Sequence, residues 1–140
     1  MAERWQLRLD NLRSAEKLLS EGIELLRAGG LNELSQAGLI QRFEFTWELA
    51  WKTLRDFMFA SGQEIDVPSP INVIRTAFTL NLISQADEWV EAMRLRNALS
   101  HEYDAARAAT ALGVIADKYA PLIAELVERL SNEAERGNSA

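Results

Sequence analysis

The chain has 140 residues, 48% hydrophobic and 26% charged, which is ordinary globular composition at the length of a single domain and argues against disorder. It contains no cysteine, which excludes disulfide frameworks and thiolate metal centres and fits a reducing, cytoplasmic setting. The formal net charge of −6 disfavours bulk electrostatic binding of nucleic acid, so no DNA partner is expected and any RNA contact must use a local basic site.

No stretch approaches the roughly 20 apolar residues that span a bilayer, and MAERWQLRLD does not read as a signal peptide, so no membrane association is expected. Three prolines and seven glycines punctuate long leucine- and alanine-rich runs, the pattern of an all-α domain covering 1–140. A first helix is predicted over 3–28, with Trp5, Leu9, Leu12, Ala15, Leu19, Ile23 and Leu26 on its apolar face. Gly29-Gly30 ends it, because glycine accepts the left-handed conformation at a helix C-terminus. LNELSQ then leads into a second helix, about 35–60.

On that helix Leu39, Ile40, Phe43, Trp47, Ala50, Trp51, Leu54, Phe57 and Met58 fall in one sector about 120° wide, a core face. Phe45 and Leu49 lie outside it as a second apolar patch, open to a partner chain or to another helix of the same chain. Ser61-Gly62 stops the helix, and QEIDVPSP is a loop. Ser69-Pro70 starts a short helix to about Leu80, with Asn81 suited to a left-handed stop. A fourth helix is predicted from about Gln85 to His101 or a little beyond. A fifth runs from near Asp104 to about Glu133, interrupted or kinked at Pro121, with the tail from about 134 frayed.

The fourth helix carries the chemistry. Its apolar ladder of Ala86, Trp89, Val90 and Met93 continues, in steps of four, into Asn97 and His101, the one histidine of the chain. Arg96 and Ser100 follow by three and seven from Met93. A stripe that leans inward and turns polar is costly to bury unless its groups are paired or hydrated, so a cleft, a subunit junction or a functional site is expected there. Arg96 and His101 differ by about 140° around a straight helix, so one helix does not aim both at a single atom, and a second copy across a two-fold axis unites them more naturally. Imidazole serves as general base or acid near neutrality, and guanidinium holds phosphate by two hydrogen bonds. These residue types suit cleavage of RNA without a metal, in which a base takes the proton of the ribose 2′-OH that attacks the adjacent phosphate. No cofactor or metal site is expected: one histidine and scattered carboxylates make no ligand set. Glu48 and Lys52 form an i,i+4 pair that solvates a face, although Glu48 also has the reach to approach the cleft.

Arg96 to Tyr103, R-N-A-L-S-H-E-Y, resembles the R-x4-H-x-Y signature of the HEPN superfamily, and specifically its HepT-like branch, also called the nucleotidyltransferase substrate-binding protein family. QRFEFTWELAWKTLRDF (41–57), SPINVIRTAF (69–78) and KYAPLIAEL (118–126) match that branch in order, so the likeness spans most of the chain. Residues 105–117 are more alanine-rich and less charged than that pattern leads one to expect. The resemblance implies an antiparallel up-and-down bundle of about five helices around a four-helix core, homodimeric, with both signatures lining a shared cleft. It implies a toxin acting as a metal-independent endoribonuclease, with Arg96 and His101 catalytic and Asn97 supporting; by their helical positions Glu48 and Ser100 are further candidates for a supporting role. The implied antitoxin is a small nucleotidyltransferase that transfers AMP to Tyr103. Two alternatives stay open: a non-catalytic nucleotide- or substrate-binding subunit of a two-component nucleotidyltransferase, and a purely structural helical dimer.

Overall fold

The computed structural model describes residues 3–102 and 104–139, and these are helical throughout apart from short connections, with no strand among them. In chain order the helices are α1 (Arg4–Arg27), α2 (Glu33–Ala60), α3 (Pro70–Thr79), α4 (Ala86–His101), α5 (Ala105–Val114) and α6 (Ala120–Ser139). A π-helical turn, Ile115–Tyr119, joins α5 to α6 without a break, so the last two helices form one long rod. Five helical rods therefore pack together, as the periodicity predicted.

The ends follow from local chemistry. Gly29 (φ 76°), Gly62 (φ 88°) and Asn81 (φ 59°) adopt the left-handed conformation beyond α1, α2 and α3. The Ser69 side chain caps α3 by accepting from the Asn72 N–H at 3.3 Å, and Asp104 caps α5 by accepting from the Ala106 N–H at 2.9 Å. α2 starts two residues earlier than predicted. Asn32 accepts from the Ser35 N–H at 2.8 Å while the Asn32 N–H donates to Ser35 Oγ at 2.9 Å, a reciprocal cap inside the stretch read as a linker.

Pro121 acts upstream of itself. It has no N–H to offer the carbonyl one turn earlier. The chain accommodates it with the π turn, in which the Ala120 N–H donates to Ile115 O. α6 then continues through Ser139, past the point where fraying was expected.

Side-chain pairings define an antiparallel register. Between α1 and α2, the Arg8 Nε–H donates to Asp56 Oδ2 at 2.7 Å and an Arg42 Nη1–H donates to Leu18 O at 2.8 Å. Between α1 and the last rod, Arg13 reaches Ser131 Oγ on α6 at 2.9 Å, while Arg27 at the other end of α1 reaches Asp117 in the π-helical turn at 3.4 Å. Gly22 permits the close approach of α1 to α2, since a Cβ there would lie 2.5 Å from Leu39 Cδ1.

The predicted apolar faces of α1 and α2 are the core. Leu9, Leu12, Leu19, Ile40, Phe43, Trp47 and Leu54 are buried with Trp89, Leu112, Ile115 and Leu130 in a hydrophobic cluster. Trp5 belongs to it and meets Phe57 edge-on at 4.9 Å. Buried Thr46 and Thr53 return their hydroxyl protons to the carbonyls of Arg42 and Leu49, each at 2.6 Å, which is how two polar side chains sit in this core. Among the described residues no helix is long and apolar enough to cross a membrane.

Candidate active site

α4 runs antiparallel to α2, and burial of Trp89, Ala92 and Leu99 sets its rotation. That rotation turns Arg96 and Ser100, one turn apart, towards Glu48 and Glu44, one turn apart on α2. Arg96 Nη2 lies 3.4 Å from Glu48 Oε2, and Lys52 Nζ lies 3.3 Å from Glu48 Oε1. An Arg96 Nη1–H donates to Asn97 Oδ1 at 3.4 Å. Ser100 Oγ contacts both Glu44 Oε2 and, at 3.0 Å, Arg96 O. Two carboxylates thus face two cations and a hydroxyl, so the local charge balances. The Arg96 side chain is 30% exposed, and its Nε is buried with no hydrogen-bond partner. That N–H is enclosed by protein, so the guanidinium presents its Nη1 and Nη2 groups, which meet Asn97 and Glu48.

Asn97 and His101 do not lean inward as the four-residue ladder suggested; both are exposed. Each step of four overshoots a full turn by about 40°, so a line through Met93, Asn97 and His101 rotates off the core by about 80°. The seven-residue step from Ala92 to Leu99 falls about 20° short of full turns and stays buried. His101 is the last residue of α4 and Glu102 its C-cap; Tyr103 lies outside the described residues. Arg96 pairs with Glu48 and Asn97, and no hydrogen bond or ion pair among the described residues joins it to His101.

The structure therefore brings Arg96, Asn97, Ser100 and Glu48 into one cluster, with His101 exposed at its end. Glu48 does more than solvate a face with Lys52. Glu44 was not singled out from sequence, although a signal existed: Glu44 and Glu48 are like charges four apart on one helix, which destabilises unless cations or donors answer them.

Concavities lie away from this cluster. A cleft of about 520 Å³ between the α3–α4 turn and α6 is lined by Phe78, Ile83, Trp89, Leu126 and Arg129 and includes none of the signature residues. A groove of about 260 Å³ between α1 and α2 is lined by Leu18, Arg42, Phe45 and Leu49. Phe45 is 63% exposed there, so no helix among the described residues covers it. Phe45 and Leu49 neighbour Glu44 and Glu48 in sequence, so the apolar groove and the polar cluster share α2.

The chain is 31% identical over 84 residues to a Haemophilus influenzae protein named "Probable ribonuclease HepT", a match spanning 58% of this chain and 58% of that one. Residues 7–132 match the family described as "Nucleotidyltransferase substrate binding protein like", a span that includes four of the described helices in full and the Arg96–Tyr103 signature. The chain belongs to that family, the one its signature resembles.

Proposed function

We propose that this chain is the toxin of a HEPN-type toxin–antitoxin pair, a metal-independent endoribonuclease of the cytoplasm. The observation that carries the reading is the half-buried Arg96 guanidinium, paired with Glu48 through Nη2, on the same two helical turns as the exposed His101 imidazole. In this reading Arg96 binds the scissile phosphate and offsets the charge that develops on it. His101 takes the proton from the ribose 2′-OH, and Asn97 orients the groups beside it. Glu48, with Lys52, holds Arg96 until RNA phosphate competes for it.

Arg96 and His101 diverge around α4, so the working site is composed at a homodimer cleft. Exposed Phe45, on the same helix as Glu48, supports a second copy there. The partner nucleotidyltransferase silences the toxin by transferring AMP to Tyr103, which adds bulk and negative charge two residues from His101.

The family's description favours a second reading, a substrate-binding subunit that presents a nucleotide to a nucleotidyltransferase without cutting RNA. One experiment separates them: labelled RNA is incubated in EDTA with mass-checked, unmodified protein and with its His101→Ala variant. The toxin reading expects cutting by the unmodified chain alone, leaving 2′,3′-cyclic phosphate ends. A folded, unmodified dimer that cuts no RNA across a broad pool favours the second reading instead, and binding to the nucleotidyltransferase with AMP transfer then tests it.

A further inference from the structure

Glu44 has no part in the chemistry proposed above, and Ser100 was assigned only a general supporting role, yet they make a specific contact. Ser100 lies on the last turn of α4, directly before His101. A helix end has unpaired carbonyls and opens easily, so a catalytic group on a final turn needs an external restraint. Among the described residues, α4 beyond Met93 makes two side-chain polar ties to another helix: Arg96 to Glu48, and Ser100 to Glu44. The first restrains the penultimate turn and the second the turn that ends in His101. Leu99 is buried, so the apolar side of that turn is anchored as well, and the Ser100–Glu44 bond supplies the remaining constraint on its rotation.

We propose that Glu44 is a positioning residue: by accepting the Ser100 hydroxyl proton it locks the last turn of α4 against α2 and so fixes the direction of the His101 imidazole. The proposal rests on the ribonuclease reading for its kinetic consequence but not for its structural one. Glu44 touches no substrate in this assignment. Its removal changes how often the imidazole is aligned, which lowers kcat and leaves phosphate binding at Arg96, and hence KM, near its starting value.

The test compares Glu44→Ala, Glu44→Gln and Ser100→Ala by two measurements on the full chain. The first is steady-state cleavage of labelled RNA. The second is the NMR signal of the His101 imidazole, unique because the chain has 1 histidine. Loss of alignment at a reacting group lowers rates by about ten- to a hundred-fold, so Glu44→Ala and Ser100→Ala are each expected to lose kcat on that scale with KM within about twofold. Glu44→Gln keeps an acceptor oxygen and is expected to recover most of the rate. The two alanine variants are expected to move the imidazole signal in the same way, and the double variant to add nothing further.

An unmoved signal with unchanged kcat in Glu44→Ala overturns the proposal. So does Glu44→Gln failing as badly as alanine, which would make charge rather than hydrogen bonding the operative property. Ser100→Ala keeps the test valid if a Glu44 variant does not fold, and an undisturbed imidazole there overturns the proposal equally. A wild type that cuts no RNA refutes the ribonuclease reading alone, because the imidazole signal still decides whether Glu44 positions it.

Discussion

Replacing Arg96 with alanine is expected to separate stability from activity. The Arg96–Glu48 pair spans 3.4 Å with both side chains about 30% exposed, at 30% and 31%. Exposed ion pairs contribute about 1 kcal/mol or less, because water screens them and long side chains lose freedom in forming them. Glu48 is not orphaned by the change, since Lys52 remains 3.3 Å from its other oxygen. A loss of about 1 kcal/mol corresponds to a fall in Tm of about 3 °C at this chain length. Under the ribonuclease reading proposed above, cleavage is expected to depend on Arg96 far more strongly: removing one donor that stabilises transition-state charge lowers kcat by about 10²- to 10³-fold. The assay pairs a thermal melt followed by circular dichroism with single-turnover RNA cleavage in EDTA. A fall in Tm beyond about 10 °C would mean that Arg96 holds the bundle together, and cleavage at the wild-type rate would remove it from the site.

Asp56 is expected to behave in the opposite way. Its 7%-exposed carboxylate meets Arg8 at 2.7 Å, Arg55 at 3.1 Å and exposed Arg4 at 3.6 Å, so Asp56→Ala takes the shared acceptor from the partly buried Arg8 and Arg55 and should cost about 2 kcal/mol by urea titration, with cleavage per folded molecule retained. Phe45→Glu should shift the chain towards monomer in light scattering and lose cleavage with it; a stable, active dimer would place the interface elsewhere. Tyr103→Phe should stay toxic in the presence of the nucleotidyltransferase, and normal neutralisation would move the modified residue elsewhere.

Burial, then the nearby Glu91 and Glu88 carboxylates, raises the Tyr119 pKa above 10.0, its ordinary value. The folded state therefore holds this proton to higher pH than the unfolded chain. Its contribution to stability is complete below the unfolded value and lost as pH rises through the folded one. Urea midpoints should fall above about pH 10 in the wild type, and less so in Tyr119→Phe.

Helix number, most boundaries and the core faces of α1 and α2 were legible in the sequence because they depend on neighbours within one element: caps, glycine stops and the 3.6-residue period. Ser69, Asn81 and Asp104 act at the positions where such rules place them. The stretch proposed for the chemistry was legible too, since Arg96, Asn97 and His101 lie within six residues of one another. What periodicity could not decide was rotation. Whether α4 buries Leu99 or Asn97 depends on how closely its far side meets α2 and the rod that follows it, and the tertiary packing chose Leu99. The same packing brought Glu44 to Ser100 across 56 residues of chain and turned Glu48 from a surface charge into the partner of Arg96. Contacts between residues far apart in sequence leave no local pattern, because each helix is compatible with several rotations until the others pack against it.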